Sequence, residues 1–99
     1  MRLTAVEVEA IRSCARRYFG EDCVVRLFGS RTDDSLRGGD IDLHIEAETS
    51  EAARLANELR FREELTDRLG EQRIDVIVRP PAYAPRPIDR IAVETGQRL

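Results

Sequence analysis

The strict alternation of residues 40–46, DIDLHIE, is the feature that most limits what this chain can fold into. Such alternation predicts an extended strand in a sheet, with a core on one face only. The two faces carry Ile41, Leu43 and Ile45 on one side, and Asp40, Asp42, His44 and Glu46 on the other. Asp40 and Asp42 therefore share a face, and two carboxylates so close repel each other unless positive charge lies between them.

Helical and strand patterns alternate along the rest of the chain. Thr4 and Glu7 have the spacing of a capping box, and glycines or prolines mark most of the other boundaries. We expect Val6 in the apolar stripe of the first helix, and Leu55 and Leu59 in that of the second. The predicted elements are a helix from Thr4 to about Phe19, a strand over 23–28, a short helical turn after Ser30, the strand over 40–46, a helix from about Ser50 to Leu69, a strand over 73–79 and a short helix from Pro87 that Gly96 closes.

This order predicts an α/β (α+β) fold in which a small mixed sheet packs against helices. The 99 residues form a single domain, 1–99, with its core in residues 23–79. The C-terminal helix presents Ile88, Ile91 and Ala92, and Leu99 has no segment after it to cover it. We therefore expect part of this apolar surface to be buried by a second copy or by a partner protein.

Composition excludes several classes of function. The net charge of −3 provides no general basic surface for nucleic acid, although a local patch is open because arginine supplies all 16 positive charges. No apolar run approaches the roughly 20 residues of a membrane span, and the N-terminus lacks a signal-like apolar segment. Cys14 and Cys23 lack metal-binding spacing, so we expect reduced packing residues and a cytoplasmic location.

A third carboxylate interrupts another apolar strand in the same way. Asp75 lies between Ile74 and Val76, and it would join Asp40 and Asp42 if the two strands were neighbours. Three carboxylates on one face predict a site for Mg²⁺ or Mn²⁺, which take oxygen ligands and complete their shell with water and phosphates. Taken singly, each aspartate is equally explained as a solvated residue on the wet face of a strand.

A corner of small residues supplies a complementary feature. Gly29 and Ser30 between a strand and a helix start would expose backbone N–H groups and a hydroxyl to an anion. Arg31 adds a guanidinium suited to phosphate. Taken alone, Ser30 with Asp33 also fits an ordinary helix N-cap, and Arg37 fits a solvated loop residue that reaches no phosphate.

The segments LFGSR, GGDIDL and IDVIV together resemble the minimal nucleotidyltransferase domains of the DNA polymerase β superfamily. The resemblance covers residues 23–79, with one residue fewer than the commonest spacing between Ser30 and Asp40. It implies the polymerase β-like fold and transfer of a nucleoside monophosphate from ATP or another NTP, with release of pyrophosphate. It further implies that Gly29, Ser30 and Arg31 bind the nucleotide and that Asp40, Asp42 and Asp75 are the catalytic ligands of two Mg²⁺ ions.

Larger members of that superfamily carry a second domain for the acceptor, whereas about twenty residues follow the third strand here. Similar stand-alone domains are often antitoxins that adenylylate a HEPN-type ribonuclease toxin. The resemblance thus implies an acceptor hydroxyl on a partner protein, with a nucleic acid or small molecule as other acceptors. The alternative is a non-catalytic module that neutralises or assembles with a partner by contact alone. His44, on the polar face, is interpreted as a wet-face residue, or else as a neighbour of the metals or substrate.

Overall fold

The computed structural model describes residues 3–29 and 40–99 and confirms the predicted α/β (α+β) fold. Each element predicted within those residues is present. The helical turn predicted after Ser30 lies outside them. The elements in chain order are α1 (Ala5–Phe19), β1 (Val24–Phe28), β2 (Ile41–Glu46), α2 (Glu51–Leu69), β3 (Ile74–Arg79), α3 (Pro87–Thr95) and β4 (Gln97–Arg98).

The four strands form one mixed sheet in the order β3-β2-β1-β4. Strands β2 and β3 are parallel and are joined through α2, as parallel neighbours need a crossover connection. Strand β1 is antiparallel to both β2 and β4. The polar residues of β2 and β3 therefore meet on one face of the sheet.

Local signals set the helix ends. The Thr4 hydroxyl accepts a hydrogen bond from Glu7 N–H, while the Glu7 carboxylate accepts one from Thr4 N–H, which completes the predicted capping box. Gly20 and Gly70 end α1 and α2 with φ of +95° and +86°, a backbone conformation that side chains disfavour.

The apolar face of the sheet carries the core. Ile41, Leu43 and Ile45 are fully buried on it, against Ile11 of α1 and Phe61 of α2. Cys14 is buried in the same core and Cys23 is half-buried; both are free thiols, as predicted. Within the described residues, no helix combines the length and apolarity that a membrane crossing requires.

Three predicted members of the helical stripes are in fact exposed. Val6, Leu55 and Leu59 are 75%, 61% and 53% exposed. At about 100° per residue, Val6 lies on the side of α1 away from Ile11. Leu55 and Leu59 likewise fall on the flank of α2 away from Phe61. The part of each helix surface that packs against the sheet is therefore narrower than its apolar sequence pattern indicated.

The C-terminal segment also differs from expectation. Strand β4 was not predicted; it pairs with the edge of β1, and Leu99 N–H donates to the Val25 carbonyl at 2.9 Å. Leu99 is consequently half-buried against the core, and Ala92 is fully buried, so neither is an uncovered surface residue. Ile88 and Ile91 of α3 remain exposed.

Candidate functional site

Strand register brings two of the predicted carboxylates together. Asp42 of β2 lies directly beside Asp75 of β3, and Phe28 of β1 lies on the other side of Asp42. Because neighbours in register project to the same face, both carboxylates lie on the face opposite Ile41 and Leu43. The alternation of the sequence predicted this placement.

Asp40 joins the pair through an arginine. Ile41 N–H donates to the Arg73 carbonyl at 2.9 Å, which sets Arg73 beside Asp40 just before the two strands begin. Arg73 Nε lies 3.4 Å from Asp75 Oδ2 and 4.0 Å from Asp40 Oδ2. One guanidinium thus bridges the carboxylates of Asp40 and Asp75. We call the carboxylates of Asp40, Asp42 and Asp75 the carboxylate row.

Asp42 lies in an electrostatic environment that disfavours its charged form. Burial raises its pKa above the ordinary value of 3.8, and the charges of Asp75 and Asp40 raise it further. Arg73 opposes this shift, and a hydrogen bond with Asp75 adds to it. The site therefore concentrates negative charge where its ionisation is disfavoured, so a bound cation would relieve the repulsion.

Gly29 is shaped to accommodate Asp42. It follows β1 with a φ of +79°, and a Cβ placed on it would overlap the Asp42 carboxylate at Oδ2. Any other residue would meet both the strain of a left-handed backbone and this overlap. The position of the Asp42 side chain therefore requires a glycine at residue 29.

Comparison with known protein families agrees with this geometry. Residues 8–96 match the family model described as nucleotidyltransferase domain. The chain belongs to the nucleotidyltransferase domain family. No curated protein matches the sequence.

Family membership gives this nucleotidyltransferase domain a nucleotidyl transfer function, with an NTP as substrate. Proteins of the family generally use a divalent metal ion. Among residues 3–29 and 40–99, no three His, Cys, Asp or Glu side chains lie close enough to surround one ion. Mg²⁺, however, is commonly held by one or two carboxylates, with water and substrate phosphates as its other ligands. The all-oxygen donors of Asp42, Asp75 and Asp40 fit that chemistry.

The predicted nucleotide-binding residues are only partly described. Gly29 follows β1 and lies against the Asp42 carboxylate. Ser30, Arg31 and the loop residue Arg37 lie outside the described part of the chain. The roles assigned to Gly29, Ser30 and Arg31 in binding, and to the three aspartates in catalysis, stay predictions.

His44 corrects one interpretation made from the sequence. It is fully buried rather than on a wet face, because α3 packs over this part of the sheet. Its Nε2–H donates to Asp89 Oδ1 at 2.9 Å, and Asp89 also accepts from Arg79 Nε at 2.9 Å and from Arg86 N–H at 2.8 Å. His44 Nδ1 has no hydrogen-bond partner among the described residues.

Asp89 was missed by sequence reasoning, although a local signal for it exists. It is fully buried, and burial alone would raise its pKa. The hydrogen bonds from Arg86, Arg79 and His44 outweigh that effect and lower the pKa. An acid two residues after Pro87, the first residue of a helix, is well placed to accept from the N-cap N–H. Its pairing with His44 depends on a contact across 45 residues, which no local pattern shows.

A cavity of about 410 Å³ opens at the other end of the central strands. It does not include Asp40, Asp42 or Asp75. Four carboxylates contribute to its lining, those of Glu21, Asp22, Glu46 and Glu48. A polyphosphate would be repelled there, so this cavity is not the nucleotide site.

Proposed function

We propose that this chain is a Mg²⁺-dependent nucleotidyltransferase that moves AMP from ATP to a hydroxyl group. The observation that carries the proposal is the in-register pair of Asp42 and Asp75, with Asp40 linked to it through Arg73. Three carboxylates on one sheet face, with the pKa of Asp42 raised by burial and by the other two, form a group that a divalent cation would stabilise. The family match supports nucleotidyl transfer as the reaction.

The roles of the residues follow from the chemistry. Asp40, Asp42 and Asp75 would together hold two Mg²⁺ ions, each with water and phosphate oxygens as its other ligands. When bound, Mg²⁺ would polarise the α-phosphate and neutralise charge on the attacking and leaving oxygens. Asp75 would accept the proton of the acceptor hydroxyl. The acceptor oxygen forms a bond to the α-phosphorus while the bond from that phosphorus to the β-phosphate oxygen breaks, and pyrophosphate leaves. Gly29, with Ser30 and Arg31, would bind the phosphates of ATP.

The acceptor in this proposal is a hydroxyl on a partner protein, as in antitoxins that adenylylate a HEPN-type toxin in the cytoplasm. The exposed apolar side chains of α3 support a protein partner. They are Ile88, Ile91 and Val93, which are 38%, 50% and 43% exposed. A second copy of this chain is the other occupant compatible with that surface.

The test is incubation of the protein with ATP labelled at the α-phosphate and with Mg²⁺, in the presence and absence of the product of the neighbouring gene. We expect label on the partner, no transfer in EDTA, and a strong loss for Asp75→Asn. Asp67→Asn is the matched control, because Asp67 is exposed on α2 and remote from the carboxylate row.

Label on a nucleic acid or small molecule would change the acceptor but not the reaction. A protein that binds its partner yet never consumes ATP would contradict the proposal. That result would favour the module that acts by contact alone.

A further inference from the structure

Arg73 lies beside both Asp40 and Asp75 of the carboxylate row. The backbone hydrogen bond from Ile41 N–H to the Arg73 carbonyl aligns Arg73 with Asp40, and Arg73 precedes Asp75 by two residues. Asp40 and Arg73 lie side by side just before β2 and β3, and Asp42 and Asp75 lie side by side two residues further on, so the four residues form a square. Three corners are anionic and the fourth is cationic.

The arginine is held loosely. Its Nε lies 3.4 Å from Asp75 and 4.0 Å from Asp40, beyond the 2.7–2.9 Å typical of a tight charge-assisted hydrogen bond. Its side chain is 72% exposed, and those of both carboxylates are 48% exposed. Exposed ion pairs of this kind contribute little, so releasing Arg73 costs little.

Arg79, the last residue of β3, shows the opposite arrangement. Arg79 Nε donates to Asp89 Oδ1 at 2.9 Å, and the side chains are only 21% and 0% exposed. That pair holds α3 against the sheet. Arg73 joins two strands that are already hydrogen-bonded to each other, so its contacts are not needed to connect them.

The charges indicate what Arg73 does when the site fills. A divalent cation among Asp40, Asp42 and Asp75 supplies the positive charge that Arg73 now provides, and it repels the guanidinium. The nucleotide brings further negative charge to the same opening. A guanidinium has a planar set of donors that matches phosphate oxygens, so the displaced side chain has a new partner within the site.

We propose that Arg73 is an exchangeable counter-cation, which neutralises Asp40 and Asp75 in the metal-free site and contacts the polyphosphate once metal and nucleotide bind. This inference rests on the proposed function. It assigns Arg73 two opposite effects, competition with the metal and attraction of the nucleotide.

The first measurement is Mn²⁺ binding in the absence of nucleotide, followed by electron paramagnetic resonance. We expect Arg73→Gln to bind Mn²⁺ about three- to tenfold more tightly than wild type, since two weak ion pairs no longer compete. Arg73→Lys keeps the charge and should remain near wild type. Arg62→Gln removes a charge from exposed α2, across the sheet, and is the matched control.

The second measurement is ATP binding at saturating Mg²⁺ by calorimetry, where the sign should reverse. Arg73→Gln should bind ATP about three- to tenfold more weakly, while Arg62→Gln should not change. Thermal unfolding of each variant checks that the fold is intact. If Arg73 were merely structural, its substitution would not strengthen Mn²⁺ binding while weakening ATP binding.

The possible failures are distinguishable. If Arg73→Gln binds Mn²⁺ as Arg62→Gln does, the competition is refuted although the transferase proposal stands. If Mn²⁺ binding tightens but ATP binding is unchanged, the contact with polyphosphate is refuted. A wild-type protein that takes up no Mn²⁺, with or without ATP, would overturn the proposed function and this inference together.

Discussion

Asp42 and His44 project from the same face of β2, two residues apart, yet each lies next to a buried or half-buried carboxylate group whose charge is balanced in a different way. His44 is fully buried under α3, and its partner Asp89 accepts hydrogen bonds from three donors at 2.8–2.9 Å. The negative charge of Asp89 is therefore fully compensated by the protein itself.

Asp42 lies in the reverse situation. Its nearest charged neighbours are Asp75 and Asp40, and the one described cation that ion-pairs with those two carboxylates is the exposed Arg73. Counted over residues 3–29 and 40–99, the three carboxylates of the row outnumber the cations that pair with them, and all three side chains are only partly buried. No stabilising purpose explains such an arrangement, because like charges at this distance destabilise the fold.

If the proposed function is correct, the difference separates a structural group from a ligand site on a single strand. Buried charges whose hydrogen bonds are complete hold two elements together and need nothing from outside. Under the proposed function, carboxylates that lack enough cationic partners among the described residues are completed by a bound metal ion. Each prediction below tests one side of this contrast.

The largest effect is expected for Asp42→Asn. Transfer activity should fall at least about 100-fold. Loss of a residue that only hydrogen-bonds a metal ligand can lower activity by about 100-fold, and loss of a ligand itself should lower it at least as much. The fold should be equally or more stable in EDTA. The pKa of Asp42 is raised in the folded chain, so its ionisation removes stability as pH rises through that pKa, and asparagine does not ionise. Activity assays and melting curves in EDTA measure both.

Asp67→Asn, on exposed α2, should change neither quantity and is the control. A large drop in melting temperature for Asp42→Asn would mean that Asp42 is structural, and the contrast with Asp89 would be lost.

The second effect is on stability and concerns the compensated side. Asp89→Ala should lower the free energy of unfolding by about 3–5 kcal/mol, because it leaves His44 and Arg79 without their buried partner. Urea unfolding beside Asp67→Ala measures the loss. A cost near that of a surface substitution, about 0.5 kcal/mol, would show that the group is peripheral.

The pH dependence of stability should also show the contribution of Asp89. The pKa of Asp89 is lowered in the folded chain, so its contribution is present above the ordinary value of 3.8 and is lost as pH falls through the lowered value. Wild type should lose this part of its stability in that range. Unfolding curves measured below pH 4 on Asp89→Asn should lack that component, and an unchanged pH dependence would contradict the assignment.

Glycines give a finer comparison, because two of them have similar positive φ angles but different surroundings. Gly29 and Gly70 have φ of +79° and +86°, but only Gly29 has Asp42 in the way of a Cβ; nothing lies within 4 Å at Gly70. Gly70 has a ψ of 176°, a combination with positive φ that is essentially restricted to glycine, so Gly70→Ala should cost about 1–3 kcal/mol of unfolding free energy from backbone strain. Gly29→Ala should cost about 1–3 kcal/mol more from overpacking and should also reduce activity. Equal losses in urea unfolding would show that Asp42 moves aside freely.

Much of the fold could be predicted because its signals are local. Alternation placed Asp40, Asp42 and Asp75 on one face, and the capping box and terminal glycines set the ends of α1 and α2. Strand β4 could not be predicted, because two residues have no periodicity and pair only with an edge formed elsewhere in the chain. The exposure of Leu55 and Leu59 was missed because an apolar pattern does not fix how wide an arc its neighbours cover.

The candidate site divides in the same way. The carboxylate row follows from strand patterns, whereas Arg73 becomes part of it only through the register of two strands. The burial of His44 depends on α3 crossing the polar face and on a contact with Asp89, both tertiary in origin. Local sequence shows which face a residue occupies, but not what later covers that face.

The smallest expected effect concerns helix capping. It tests whether an exposed helix N-cap contributes less to stability than the buried one formed by Asp89. In α1, Thr4 N–H donates to Glu7 at 2.9 Å, just as Arg86 N–H donates to Asp89 at 2.8 Å in α3. Thr4→Ala removes the reciprocal bond to Glu7 N–H at the surface and should cost about 1 kcal/mol of unfolding free energy. Ser13→Ala removes a hydroxyl from the exposed middle of the same helix, where alanine favours helix by a few tenths of a kcal/mol, so it should be neutral or slightly stabilising. Activity should be unchanged in both, because α1 packs on the opposite face from Asp42. If Thr4→Ala is as costly in urea unfolding as Asp89→Ala, the capping geometry rather than burial sets the energy, and the special role given to the buried Asp89 group fails.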